Sequence, residues 1–183
     1  MSIRSFRSVL TARSFRSVLT ARRSLRAGVL VAIGVASAAL FGGGTAAAAP
    51  VTCVSPPSAN DILVSDTASC GATAEDAFAR AYAADSGTAV SVAESAGAAE
   101  AHATGFGTAL SAARDGGRSF AYALGGGLSH SWAQGPATTL SVAGYGSGAT
   151  ADTTGVTCVG AQSFAVNTAT GQWCAVGVGS TPR

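Results

Sequence analysis

Residues 107–136 read GTALSAARDG, GRSFAYALGG, GLSHSWAQGP, three blocks of ten that each open on glycine. The beat extends in both directions. From Ala77 the blocks are AFARAYAADS, GTAVSVAESA, GAAEAHATGF, GTALSAARDG, GRSFAYALGG, GLSHSWAQGP and ATTLSVAGYG, with SGATADTTGV trailing off. Self-similarity at a fixed period signals a repeat architecture. Column seven is alanine in all seven full blocks, column five is Ala or Ser, and column three is Ala, Ser or Thr. Columns four and six carry the larger residues: Arg80/Tyr82, Val90/Val92, Glu100/His102, Leu110/Ala112, Phe120/Tyr122, His130/Trp132 and Leu140/Val142.

Alternation of small and large residues within a block is the period of a strand. The block ends carry breakers: Asp115-Gly116-Gly117, Gly125-Gly126-Gly127 and Gly135-Pro136. Each unit therefore reads as a strand of five to seven residues plus a turn. Helix competes at one place. Thr73-Ala74-Glu75-Asp76 offers an N-cap and early acids, Ser86-Gly87 a stop, and alanine favours helix, so 74–85 is equally open to a short helix. Beyond Gly87 a break every ten residues leaves pieces too short for stable helix. The expected class is all-β: a repeat-built sheet, either a β-solenoid or an antiparallel meander. Column five alternates Ala81, Ser91, Ala101, Ser111, Ala121, Ser131, which suggests a twenty-residue pair of strands as the true unit. Burial of a large apolar side chain contributes roughly 1.5–3 kcal/mol, which favours columns four and six facing inward. The opposite choice would bring two Ala/Ser layers together and display the aromatics.

The flanks read as caps. Val51 to Cys70 resembles a loop-rich hairpin, with Pro56-Pro57 and Ser58 to Asp61 as turn material before Ile62-Leu63-Val64. Ser163 to Asn167, a turn at 168–171, and Gln172 to Val176 form a second hairpin pattern. The four cysteines lie in these flanks, and their similar intervals favour Cys53–Cys70 and Cys158–Cys174 among three possible pairings. The resulting organisation is a leader over 1–48, a disulfide-bearing cap over 49–72, the repeat domain over 73–155 and a disulfide hairpin cap over 156–183.

The leader holds seven arginines and no acid, then an apolar run from Ala27 to Phe41, then Gly42 to Ala49 before Pro50. A basic n-region, a short h-region and an Ala-x-Ala end describe a signal peptide, with cleavage expected after Ala48. SFRSVLTAR occurs twice in tandem, at 5–13 and 14–22, which reads as a local duplication or an early start site. Arg22-Arg23-Ser24-Leu25 resembles a twin-arginine signal, but Arg26 departs from it, so general secretion is preferred. The whole chain is +2; after Ala48, four arginines against nine acids leave −5. That balance offers no footprint for nucleic acid. The 135 residues left after cleavage, from 183 less 48, suit one domain stapled by disulfides in an oxidising compartment. No stable membrane span is expected in the mature chain.

The search for chemistry mostly excludes. No lysine occurs, which removes P-loop and Schiff-base mechanisms. His102 and His130 are the only histidines; Ser129 and Ser131 flank His130 but point to the other side of a strand. Asp115 and Asp152 are the acids that a dispersed Ser-His-Asp site would need. Glu100 and His102 share a face as two metal ligands without a third, so no metal, no cofactor and no catalytic residues are assigned. Phe120, Tyr122, His130 and Trp132 fall in the same columns of consecutive blocks and form a candidate binding patch, side by side if neighbouring blocks pair in register.

The absence of lysine, the arginine-rich leader and the alanine content resemble exported Ala/Gly-rich proteins of high-GC actinobacteria that carry a domain of unknown function. The Gly-punctuated blocks over 87–146 are also similar to the head repeats of trimeric autotransporter adhesins, although a ten-residue period, no coiled-coil stalk and no anchor depart from that pattern. The expectation is a secreted or envelope protein, non-enzymatic, with a structural or interaction role. The alternative is a module binding carbohydrate or another envelope ligand, and a homo-oligomer or an envelope glycan or protein partner fits either. A flat Ala/Ser/Thr outer face would suit ice, but only Thr138-Thr139 and Thr150 add threonine.

Overall fold

The computed structural model describes residues 49–177. The leader, and with it the signal-peptide reading, lies outside the described residues. Fourteen strands follow in order: β1 Val51–Ser55, β2 Asn60–Val64, β3 Ser69–Glu75, β4 Phe78–Ala84, β5 Thr88–Glu94, β6 Ala98–Thr104, β7 Thr108–Arg114, β8 Arg118–Leu124, β9 Leu128–Gln134, β10 Thr138–Ala143, β11 Gly148–Ala151, β12 Val156–Val159, β13 Ser163–Asn167 and β14 Gln172–Val176. There is no helix among the described residues.

The strands form two seven-stranded sheets, β1-β4-β6-β8-β10-β13-β14 (sheet 1) and β12-β11-β9-β7-β5-β3-β2 (sheet 2). Consecutive blocks alternate between the sheets, and each strand pairs in parallel with the strand twenty residues on: Tyr82 with His102, His102 with Tyr122, Val90 with Leu110. This is a flat β-solenoid of about four turns, one coil per twenty residues. Antiparallel strands close both ends, β1 on β4 and β2 on β3 at one, β12 on β11 and β13 with β14 at the other.

The turns fix how the chain passes from one layer to the other. Asp85-Ser86, Ser95-Ala96, Gly105-Phe106, Asp115-Gly116 and Gly125-Gly126 all have positive φ, the signature of a tight type I′ turn. Each closes with a hydrogen bond, as from the Gly97 N–H to the Glu94 carbonyl at 2.9 Å. The turn carries the chain from one layer to the other, and the next residue is pressed against backbone. A Cβ on Gly97 would lie 2.5 Å from the Ala113 carbonyl oxygen and 2.9 Å from the Arg114 nitrogen. Only glycine fits there, which is why Gly87, Gly97, Gly107, Gly117 and Gly127 open five successive blocks.

So short a crossing forces the layers together, and only small side chains fit between them. The interior is Ala79, Ala81, Ala83, Ala99, Ala101, Ala103, Ala121 and Ala123 from sheet 1 against Ala89, Ala93, Ala109 and Ala113 from sheet 2, nearly all fully buried. Buried serines span the gap. Ser91 donates to the Ala99 carbonyl at 2.7 Å, Ser111 to the Ser119 carbonyl at 2.8 Å, and Ser129 to the Ser141 carbonyl at 2.9 Å. Ser131 donates to the Thr139 hydroxyl at 2.8 Å. A buried hydroxyl without a partner would cost about 1–3 kcal/mol, so these rungs make serine tolerable inside. Column five thus sorts by layer: Ser91, Ser111 and Ser131 in sheet 2, Ala81, Ala101 and Ala121 in sheet 1. The disulfides Cys53–Cys70 and Cys158–Cys174 each link the two sheets, with Cα separations of 5.8 and 5.9 Å.

Four expectations change. The short helix over 74–85 is absent: β3 ends at Glu75, Asp76 turns at φ 48°, and β4 begins at Phe78. Alanine's helix propensity yields to the pairing of β4 with both β1 and β6. The meander gives way to the solenoid. Val51 to Cys70 is not a hairpin, since β1 and β2 join different sheets. Columns four and six face outward, half-buried or exposed, and the flat Ala/Ser face that would have suited ice is the core. Gap width, set by the turns, outweighs the gain from burying larger groups.

Candidate functional site

Because the core takes the small residues, every large side chain of the repeats is displayed. Parallel in-register pairing then stacks each column into a ladder along the solenoid. On sheet 1 one ladder runs Tyr82, His102, Tyr122, Val142, Phe164; the next runs Arg80, Glu100, Phe120, Leu140, Val166, Trp173. The Tyr82 and His102 ring centroids are 5.4 Å apart, those of His102 and Tyr122 5.2 Å. Glu100 and His102, two residues apart on β6, meet through Oε1 and Nε2 at 2.7 Å. Partial burial and then the Glu100 carboxylate push the Tyr122 phenol above its ordinary pKa, so it stays a neutral donor. The result is a flat, half-buried aromatic and apolar strip with one acid–imidazole pair at its centre.

The sequence-derived patch is split. Phe120 and Tyr122 lie on β8 in sheet 1, whereas His130 and Trp132 lie on β9 in sheet 2, so the two pairs look out from opposite faces. Consecutive blocks are not neighbours; blocks two apart are. The alternating Ala/Ser of column five carried that signal, and read through it, Tyr82 and His102 replace His130 and Trp132 beside Tyr122.

Trp132 and Gln134 of β9 in sheet 2 wall a hollow of about 270 Å³ shared with Thr139 and Asn167 of sheet 1 and with Thr153 and Ala169. The Arg114 guanidinium sits 5.9 Å from the Trp132 ring and also pairs with Glu94 at 3.2 Å. The Asn167 amide donates to the Asp152 carbonyl and its oxygen accepts from Ala169 N–H at 2.8 Å, which fixes the far wall. The Asp152 carboxylate is held below its ordinary pKa, first by the Thr154 hydroxyl at 2.6 Å, against which burial works. The Thr154 and Gly155 N–H groups and nearby His130 add to the lowering.

Ser129 and Ser131 are fully buried in the interlayer gap, on the opposite side of β9 from His130, so neither forms a nucleophile–base pair with it. Asp115 accepts from Gln134 at 3.2 Å on the surface. Among the described residues no three His, Cys, Asp or Glu side chains converge on one point. The four cysteines are all consumed by the two disulfides.

Comparison with curated proteins and with solved structures gives no match. A family model described as a family of unknown function (DUF6764) matches residues 20–177, most of the chain and all fourteen strands. The chain belongs to this family of unknown function.

Proposed function

We propose that this protein is an exported, non-enzymatic interaction module that presents the sheet 1 ladders to a partner in the cell envelope or outside the cell. One observation carries the reading: the repeats place alanine and serine in the core and keep Tyr82, His102, Phe120, Tyr122, Leu140 and Val142 on one flat outer face. Repetition aligns these groups at a fixed spacing, and half-burial orders them before any partner arrives, which lowers the entropic cost of binding. The two disulfides fit an oxidising destination, and the basic leader fits export. The actinobacterial setting belongs to the same proposal. The adhesin analogy extends only to Gly-punctuated strands that display side chains.

Co-sedimentation with purified cell-wall sacculi tests it. The mature protein should pellet with them, and a Tyr82→Ser/Phe120→Ser/Tyr122→Ser variant that keeps the strand signal in circular dichroism at the assay temperature should not. Equal pelleting of the two proteins, or none by either, removes the reading. A second reading, a carbohydrate site, rests on the hollow beside Trp132. Trp132 and Trp173 are the only tryptophans, and Trp173 is 67% exposed, so the measurement belongs in a Trp173→Phe background. Acrylamide quenching of Trp132 should fall when cell-wall glycan is added. Unaltered quenching removes the carbohydrate site.

A further inference from the structure

The two long edges of the solenoid differ. The edge made by the turns after β3, β5, β7 and β9 carries Glu75-Asp76, Glu94 and Arg114-Asp115 before the uncharged Gly135-Pro136. The edge made by the turns after β4, β6, β8 and β10 carries Asp85-Ser86, then only Gly105-Phe106, Gly125-Gly126 and Tyr145-Gly146. Phe106 is the anomaly. It is 77% exposed and holds φ at +66°. A large side chain gains nothing from burial there and is strained in a left-handed turn that glycine would take freely. Strain without a local return points to a contact outside the chain.

The surroundings form a knob and a notch. The turns stack one coil apart, with Phe106 N–H donating to the Asp85 carbonyl at 3.1 Å and Gly125 N–H to the Thr104 carbonyl at 3.0 Å. Phe106 stands on one coil, Gly125-Gly126 on the next, and Tyr145 on the one after. Tyr145, 75% exposed, leans back over Gly125, so that a Cβ on Gly125 would fall inside its ring. A Cβ on Gly126 would meet nothing within 4 Å. The Tyr145 ring thus covers Gly125, and Gly126 is the open position between that ring and Phe106. Leu124, 46% exposed, and Leu128, 55% exposed, form the sides.

We infer that this edge is the interface of a symmetric homodimer, in which Phe106 of each copy fills the Gly126 notch of the other. A two-fold interface requires a surface complementary to itself, and a protruding ring one coil away from a bare glycine meets that requirement. From Gly105 onward the edge carries no charge at its tips to repel its own image, whereas the opposite edge is rich in acids. The exposed parts of Phe106, Leu124, Leu128 and Tyr145, with the glycine backbone between them, amount to roughly 600 Å² per copy. Complete burial of these parts in both copies removes about 1,200 Å², the lower end of the range for stable interfaces. This assignment is independent of the sheet 1 face, which stays free in such a dimer.

Sedimentation velocity on the full chain from about 1 to about 300 µM tests it. The wild-type chain should dimerise within that range. Phe106→Gly should weaken the dimer by about thirtyfold or more, the loss expected of a central aromatic anchor. Its melting temperature should hold or rise, since glycine relieves the strained φ, which separates a lost contact from a damaged fold. Leu128→Asp should weaken the dimer as well. A chain that stays monomeric throughout, or a dimer indifferent to Phe106→Gly, would overturn the inference. So would a monomer that floats with phosphatidylcholine vesicles through Phe106, because the edge would then be a lipid contact.

Discussion

Replacing Ala101 by valine tests the inverted core most directly. Ala101 is fully buried in β6, flanked in register by Ala81 and Ala121, and faces the other sheet. The gap it faces is one hydroxyl wide: Ser91 reaches across to the Ala99 carbonyl at 2.7 Å. Two added methyl groups have no free volume, and the sheets cannot part, because two-residue turns clamp them on both edges. Overpacking of a well-packed core costs typically 1–3 kcal/mol, and this geometry places Ala101→Val at about 3 kcal/mol or above. For a domain of this size that lowers the melting temperature by roughly 10 °C. Phe120→Ala is the control. Phe120 sits in the adjacent outward column, half-buried against its ladder neighbours. Its truncation should cost only about 1 kcal/mol, since most of its area already meets water or the ladder alone. Thermal melts followed by the strand signal in circular dichroism compare the two. If Ala101→Val melts within about 2 °C of wild type while Phe120→Ala loses roughly 10 °C, the small-in, large-out assignment is wrong.

Two further outcomes follow from the ends of the solenoid. Each disulfide closes a loop of similar length, with sequence separations of 17 and 16. Replacing either pair with serine should therefore cost a similar amount, about 3 kcal/mol, and an excess of reductant should lower the melting temperature of the wild-type chain by about the two losses together and that of each variant by the loss of its remaining disulfide. The Asp152 carboxylate has a folded pKa below its ordinary value, so the stability it lends is present above that ordinary value and is lost as pH falls through the folded one. The melting-temperature gap between wild type and Asp152→Asn should be open at pH 7 and close on acidification below about pH 4; a gap that widens in acid contradicts the assigned hydrogen bonds.

Much of this architecture is legible in the chain. The ten-residue beat, the strand period within it, the glycine breakers and the cysteine intervals all survive into the structure, including both disulfide pairs. These are local signals: a turn needs particular φ values, and a strand alternates its side chains, whatever surrounds it. The candidate site was less legible. Phe120 and Tyr122 share a face because they stand two apart on one strand, whereas His130 and Trp132 look out from the opposite sheet, because proximity depends on which block pairs with which. Phe106 and Tyr145 sit in turn columns, outside the strand alternation that marks the displayed face.

By itself, then, the sequence determined the element type, the period, the breaks and the staples, since backbone conformation and loop closure act at short range. Tertiary structure decided two matters. It placed blocks i and i+2 side by side, and it turned the small residues inward. Both follow from the width of the gap between layers. A two-residue left-handed turn sets that width, alanine, serine and Thr139 fill it through the repeats, and the tyrosines, phenylalanines and tryptophans are left on the outside, where a partner can reach them.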